Sequence, residues 1–486
     1  MSLPDFRQFV PAPGQSRIAA AGAREHAQAR LATSRAKELF STWESLFHEP
    51  YRGVTPDGVL QHGLFQLQPN GAPALAMRVA AGALLQSLTP AQRQRAVFPV
   101  DSELWRRWQN TELLVEEHGL RLDEIDVPLR DAVMRLLRLS LSERGLERVV
   151  RVMQFNAFLG ELVGGPGVMG QWSYTFCLFG TPGADAPWGW QLFGHHLSLN
   201  CLLIGEQMVL SPTFMGAEPC VEPSGPHAGI HLFKDEQRLG LELMRRLSAA
   251  QRATAMLADD LLSPGLPPGR RHFADGLQMA AAYQDNRIIP LEGLRGLSMD
   301  RLQRRALLDL VSEHVMALPA GPLAARIDEI ERHLNATRFC WVGGTGEEST
   351  FYYRVQSPVL LIEFDHHAGV YLTNPKPEQF HVHTIVRTPN GNDYGRDLLR
   401  QHYEQAAQAG GPRHEHADHG AARGAGRHDH GHDHDHGHDH GHGHGHGHGH
   451  GHGHGHGHGH DHDHGHDHGH GHDHDHDDEH NHGRGR

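Results

Sequence analysis

The C-terminal part of the chain alternates histidine with glycine or aspartate, and this repeat most constrains what the chain can fold into. Residues 441–460 are an unbroken Gly-His alternation, and 411–486 hold 30 of the 46 histidines with almost no aliphatic or aromatic side chain. Because such a segment cannot bury apolar surface, we predict that 409–486 form a disordered tail. A packed core must then come from residues 1–408.

The composition of the tail is suited to binding metal ions. Neutral imidazole is a good ligand for Zn, Ni, Co and Cu(II), and glycine spacers let neighbouring rings close around one ion. We therefore predict several interchangeable sites that involve His432, His434, His442, His444, His446, His448, His450 and His452. With neutral histidines the tail carries a net charge of −9, and protonation below roughly pH 6 should release the metal. A low-complexity expansion without function and a solubilising pH buffer are the alternatives.

Residues 1–408 are predicted to be a single large domain with a substantial core. Their net charge of −5 argues against nucleic acid as a partner. The absence of an apolar run of about 18 residues argues against a membrane span, and the first residues lack the features of a signal peptide. The 4 cysteines are widely spaced, which argues against a disulfide framework. We expect a cytoplasmic protein, and the sequence does not specify its oligomeric state.

Strand-like sequence occurs in two separated groups, with mostly helical sequence over 234–334 between them. The predicted strands are 172–179, 188–203, a strand from 207 onward, 338–342, 350–356, 359–364 and 381–387. Short connections within each group favour antiparallel pairing. The predicted fold class is therefore α+β, with one mostly antiparallel sheet built from both groups and flanked by helices.

Two histidine pairs lie in the predicted strands. His381 and His383 fall on one face of a strand, and a strand His-x-His pair can give two ligands to one metal. His195 and His196 lie within the long predicted strand 188–203, where they should point to opposite faces. Both are candidate metal ligands, and a hydrogen-bonded core histidine is the alternative for each of them.

Acidic side chains near these histidines are the candidate catalytic groups. Glu363 and Asp365 share one face of a predicted strand, and His366 and His367 are assigned to the turn that follows. If this strand pairs with the 381–387 strand, two carboxylates and two imidazoles converge as in a catalytic metal site. Glu218, in a loop after a strand, and His196 are further catalytic candidates. The alternative for the two strand acids is a solvated sheet face with salt bridges.

Several motifs follow one another in a specific order. They are Phe-Gly-His-His-Leu-Ser-Leu-Asn at 193–200, Phe-Met-Gly-Ala-Glu-Pro at 214–219, Tyr-Tyr-Arg-Val-Gln-Ser-Pro at 352–358, Ile-Glu-Phe-Asp at 362–365, His-Val-His-Thr at 381–384 and Asp-Tyr-Gly at 393–395. Over roughly 40–405 the chain thereby resembles the uncharacterised domain-of-unknown-function family 3500. The resemblance implies no established reaction and assigns no catalytic residue, and the tail lies outside it.

The strand histidines and the acidic side chains near them predict a metal-dependent enzyme. A divalent ion, Zn or Ni first and Co, Cu or Fe next, would bind His381 and His383 with help from His196 or Glu363, and the tail would recruit or buffer it. Hydrolysis with Glu363 as general base is favoured over oxygen chemistry. The expected partners are metal ions and an unknown small-molecule substrate.

Two other hypotheses stay open. The chain could be a non-enzymatic metal storage or delivery protein in which the tail is the functional element. The body of the protein, residues 1–408, could also bind a small organic ligand without metal.

Overall fold

A computed structural model of the chain describes residues 5–225 and 227–409. The predictions of disorder and of metal binding by the tail histidines concern 410–486, which lie outside the described residues. Among the helices of the described part, none is both long and apolar enough to cross a membrane.

Eleven α-helices form within the described residues. They are α1 Ala23–Leu31, α2 Ser34–Phe47, α3 Ala74–Ser87, α4 Pro90–Ala96, α5 Val127–Ser140, α6 Glu143–Leu162, α7 Lys234–Arg246, α8 Ala249–Ala255, α9 Arg301–His314, α10 Ala320–Arg332 and α11 Arg396–Gln408. Short 3₁₀ helices occur at Arg7–Phe9, Glu103–Arg106, Gly296–Ser298 and Asp393–Gly395.

The described part of the chain also contains fourteen β-strands. They are β1 Val97–Phe98, β2 Leu120–Arg121, β3 Tyr174–Gly180, β4 Trp188–Gly194, β5 Leu197–Ile204, β6 Gln207–Ala217, β7 Val221–Glu222, β8 Ile230–His231, β9 Met256–Ala258, β10 Leu294–Arg295, β11 Arg338–Gly343, β12 Phe351–Gln356, β13 Leu361–His367 and β14 Glu378–Arg387.

Twelve of these strands form one sheet with the order β1-β3-β4-β5-β6-β14-β13-β12-β11-β10, in which β2 pairs with β3 and β9 with β11. Only the β1–β3 and β9–β11 pairs of this sheet are parallel. The prediction of a mixed chain of helices with a large, mostly antiparallel sheet is confirmed. The strands β7 and β8 form a separate two-stranded sheet.

The β6–β14 pair lies at the middle of the strand order and places distant parts of the chain side by side. Its antiparallel register sets His383 opposite Gly216. On its other edge β14 pairs with β13, where His383 lies opposite Asp365. Residues from three strands therefore meet around His383.

The prediction of one long strand over 188–203 is wrong. The chain reverses at His195 and His196, and Gly194 pairs with Leu197 across the turn between β4 and β5. His196 has a φ of 62°, in the left-handed region that a tight turn requires and that histidine enters more readily than most side chains. The two histidines consequently do not alternate across a strand.

Both faces of the central strands are buried, so the expected alternative of a solvated sheet face is also wrong. Glu363 and Asp365 are 0% and 1% exposed. The long helix α6 covers part of the sheet, contacting β5 and β6. Ser142 caps the N-terminus of α6 by accepting a hydrogen bond from the amide of Gly145, which fixes where the helix begins.

Candidate metal centre

Three histidines converge where β14 meets β6 and the β4–β5 turn. The Nε2 of His383 lies 3.1 Å from the Nε2 of His381, which shares its face of β14. It also lies 3.1 Å from the Nε2 of His196. These three residues, all buried, are the group within the described residues whose donor atoms are close enough to hold one metal ion.

Backbone hydrogen bonds fix the position of His196. Its amide donates to the carbonyl of Asn110 at 3.3 Å, and its carbonyl accepts from the amide of Gly216 at 2.8 Å. The ring of His196 stacks on that of His195 with 3.9 Å between centroids. The turn therefore places His196 next to β14 in a defined orientation.

All three imidazoles of the cluster are neutral near pH 7. Burial, reinforced by the neighbouring histidines, holds the pKa of His196, His381 and His383 well below its ordinary value. Neutral imidazole is the form that coordinates a metal.

The hydrogen bonds of the cluster leave nitrogen lone pairs pointing at one another. The Nδ1 of His381 lies 2.9 Å from the carbonyl oxygen of Ala368. Since a carbonyl only accepts, Nδ1 carries the proton and the Nε2 of His381 presents a lone pair. His383 can donate one Nε2 proton to only one of its two neighbours, and its Nδ1 is buried without a partner among the described residues.

Two of the three nitrogen separations in this donor set are close to those around a tetrahedral metal ion, and the ligand atoms of all three residues lie within 4.8 Å of one another. Zinc–nitrogen bonds of about 2.0–2.1 Å place two ligand nitrogens about 3.4 Å apart, close to the two separations of 3.1 Å at His383. With Nδ1 protonated on each ring, such an ion would bind three Nε2 lone pairs in a buried space. Three protein ligands leave a fourth position open, as in catalytic rather than structural zinc sites.

Gly216 makes room for the cluster. A Cβ atom at this position would lie 2.8 Å from Cδ2 of His383 and 3.0 Å from Cδ2 of His196. Because both contacts are below ordinary van der Waals separation, any larger residue would push the two rings out of place.

A cleft of about 590 Å³ opens onto two of the three histidines, His196 and His383. One wall comes from α1, α2 and the preceding segment, and the other from 261–277. The guanidinium of Arg35 lies 4.4 Å from the ring centroid of Phe273, which brings the two walls together. This volume is in the range of cavities that hold small molecules.

His195 also lines the cleft but does not belong to the three-histidine cluster. Its Nδ1 lies 2.8 Å from Oδ1 of Asn156 on α6, whose Nδ2 donates to the carbonyl of Gly170 at 2.9 Å. Burial lowers the pKa of His195 to about 4. The structure thus places His195 behind His196, where it supports that ring by stacking.

Glu218 lies beside the cluster and does not line the cleft. Its carboxylate accepts hydrogen bonds from the backbone amides of Val370, Tyr371 and Leu372. Burial raises its pKa to about 7, while these amides act in the opposite direction. Its Oε1 is 3.9 Å from Nδ1 of His381.

The two acids of β13 have different surroundings. Asp365 lines the cleft and accepts a hydrogen bond of 2.7 Å from the amide of Leu277. Glu363 lies outside the residues that line the cleft, and it accepts hydrogen bonds from the amides of Met279 and Ala280 and from the hydroxyl of Tyr352. The structure therefore brings Asp365, but not Glu363, to the cleft.

The assignment of His366 and His367 to a turn is wrong, because β13 extends to His367. Its ring centroid is 3.9 Å from that of His383, and its Nε2 is 3.2 Å from Oδ2 of Asp365. Continuing the strand alternation by one more step past Asp365 would have placed it on the same face.

Sequence reasoning also missed Glu112 and Tyr371, which belong to this region. His26 lies 3.4 Å from Glu112 and 3.3 Å from the hydroxyl of Tyr371. Glu112 lines the cleft. No periodicity or spacing in the sequence identifies these residues, since they come from three distant segments.

Residues 70–396 match the family described as "Protein of unknown function (DUF3500)", and the chain belongs to this family. The resemblance predicted from the ordered motifs is thereby confirmed. No curated protein and no solved structure matches the chain.

Proposed function

We propose that this protein is a metal-dependent enzyme in which His196, His381 and His383 hold one divalent transition-metal ion at the floor of the cleft. The observation that carries this proposal is the meeting of three neutral, buried imidazoles, two of which face a cavity large enough for a substrate. Zn and Ni are the preferred ions, and Co, Cu or Fe would also suit imidazole ligands.

An ion held this way would supply a Lewis acid and would lower the pKa of a water molecule bound to it. Asp365 is the acid we assign to proton transfer, because it lines the cleft opposite His383 in the strand register. Glu363 was the base expected from the sequence, but its oxygens are engaged by backbone amides and by Tyr352. We assign Glu363 to holding the 279–280 segment against β13.

We favour hydrolysis over oxygen chemistry. The metal-binding group of the described residues consists of three histidines and no carboxylate. Non-haem iron oxygenases instead use two histidines and one carboxylate as ligands. Three imidazoles with an open position are the arrangement of a hydrolytic or hydrating zinc centre.

Metal storage or delivery is the second candidate function, and the histidine-rich tail favours it. In that case the tail would carry nearly all of the metal, and the body would serve as a scaffold. In the enzyme proposal the tail instead recruits or buffers the ion.

Metal content after removal of the tail distinguishes the two functions. A protease site introduced after Ala409 allows the tail to be cut from the folded protein, and elemental mass spectrometry then counts the metal on the body. We expect about one equivalent per chain, lost in His381→Ala/His383→Ala. The matched control His48→Ala/His62→Ala removes two exposed histidines and should keep the ion. A metal-free body would contradict the enzyme proposal and favour storage by the tail.

A further inference from the structure

The cleft carries an excess of positive charge that the protein itself does not neutralise. Four arginines line it, namely Arg17, Arg30, Arg35 and Arg271. Among the described residues no carboxylate lies at ion-pair distance from any of the four. Arginine presents a planar fork of donors that matches carboxylate and phosphate oxygens.

The acids that line the cleft are engaged elsewhere. Asp275 lies 2.9 Å from Nδ1 of His272, and Asp365 accepts a hydrogen bond from the amide of Leu277. Glu112 pairs with His26. These three carboxylates offset part of the charge of the four arginines, so that the charged side chains lining the cleft include one more cation than anions.

Two of the arginines act on groups deep in the cleft region. The positive charge of Arg30 is close enough to stabilise the ionised form of the Tyr371 hydroxyl, against the much larger effect of burial. Arg17 acts in the same way on the carboxylate of Glu218. Both guanidinium groups thus add positive charge to the region around the cleft.

The same cleft has an apolar side. Leu39, Phe40 and Trp43 come from α2, and the ring of Phe273, which is 44% exposed, comes from the opposite wall. Burial of the apolar groups of a ligand in this space would stabilise its binding. An anionic group of the same ligand would contact the arginines.

We infer that the cleft binds a small organic anion, whose apolar part packs against α2 and Phe273 and whose carboxylate or phosphoryl group is held by Arg30 and Arg271. This inference rests on the proposed function in one respect, namely that the anion is the substrate presented to the three histidines. Recognition of the anion itself depends on the arginines and not on the metal.

Binding of three matched probes tests the inference. Benzoate and phenyl phosphate carry the two anionic groups on the same ring, and benzyl alcohol is their neutral analogue. Ligand-observed NMR with the full chain, treated with EDTA and exchanged into low-salt buffer at about pH 8 where imidazole is neutral, gives the dissociation constants. We expect at least one anion to bind about tenfold more tightly than benzyl alcohol and to weaken with added salt.

Substitution of the arginines identifies the site. Arg30→Gln/Arg271→Gln should weaken binding of the preferred anion by about tenfold and leave benzyl alcohol unchanged. Arg301→Gln is the matched control, because Arg301 is exposed, lacks an ion pair among the described residues and lies outside the cleft. The anion that binds more tightly tells whether the site prefers carboxylate or phosphate.

Equal affinity for the neutral and anionic probes, or unchanged binding in the double arginine variant, would overturn the inference. Failure of the metal proposal gives a different result, since arginine-dependent anion binding would then persist in a body that holds no ion. Conversely, a body that holds metal but shows no arginine-dependent anion binding would contradict the anion site and leave the metal proposal in place.

Discussion

Gly216 of β6 lies directly opposite His383 of β14, and a Cβ atom built on Gly216 would come within 2.8 Å of the His383 ring. The imidazoles of the cluster, together with the carbonyl of Val382, therefore occupy the space that a side chain at residue 216 would need. This relationship gives a test of the cluster that alters none of its ligands.

Gly216→Ala should displace the rings of His383 and His196 and abolish the metal held by the body. The overpacking should also lower the free energy of unfolding by about 1–3 kcal/mol. Metal content after tail removal and a denaturant titration measure the two effects. Gly82→Ala is the control, because a Cβ there meets no atom within 4 Å. Full metal content in Gly216→Ala would contradict the proposed position of the ion.

Glu363→Gln separates a structural role from a catalytic one. The new amide would direct N–H groups at donors that now give hydrogen bonds to the carboxylate, and the free energy of unfolding should fall by about 1–3 kcal/mol. The metal content of the body should stay the same. Glu348→Gln, at an exposed loop position, is the control. Unchanged stability would argue against the structural role assigned to Glu363.

A buried ion network should make Arg387 important for stability. Arg387 is fully buried, and its Nη1 lies 2.8 Å from Asp285 and 2.9 Å from Asp393. Arg387→Met would leave these two buried carboxylates short of positive charge, and we expect a loss of about 3–5 kcal/mol in the free energy of unfolding.

The control for this network is Arg305→Met, because Arg305 pairs with Asp309 on an exposed helix face. A surface pair of this kind contributes about 0–1 kcal/mol. Chemical denaturation of both variants gives the comparison, and similar losses in the two would argue against the network.

His314 should make the stability of the protein sensitive to acid. Burial lowers its pKa to about 3, from an ordinary value near 6.5. The folded state therefore holds the neutral imidazole, whose contribution to stability is complete above about pH 6.5 and is lost as pH falls toward 3. His314→Gln should flatten the dependence of unfolding free energy on pH between these values.

Thermal or denaturant unfolding at a series of pH values measures this effect. His48→Gln, which removes an exposed histidine, is the matched control and should follow the unmodified protein. The same steep acid loss in His314→Gln and the unmodified protein would show that other groups dominate the profile.

Local sequence patterns were sufficient for most of the longer strands and for part of the site. Alternation along 381–387 places His381 and His383 on one face, and that relation depends only on the period of a strand. The ordered motifs were sufficient to identify the family to which the chain belongs. The relative orientation of residues that are close in sequence and lie in one strand can be predicted locally, because the geometry of the strand alone determines it.

The sequence by itself thus determined most of the strands, the His-x-His pair, the family and the composition of the tail. Tertiary structure alone decided that the β4–β5 turn delivers His196 to β14, that Gly216 leaves room for the rings, and that Asp365 rather than Glu363 reaches the cleft. Contacts between distant segments depend on strand order and packing, as for His196 and His383, which are 187 residues apart. Local periodicity carries no information about that order, because strands with the same pattern can pair in many arrangements.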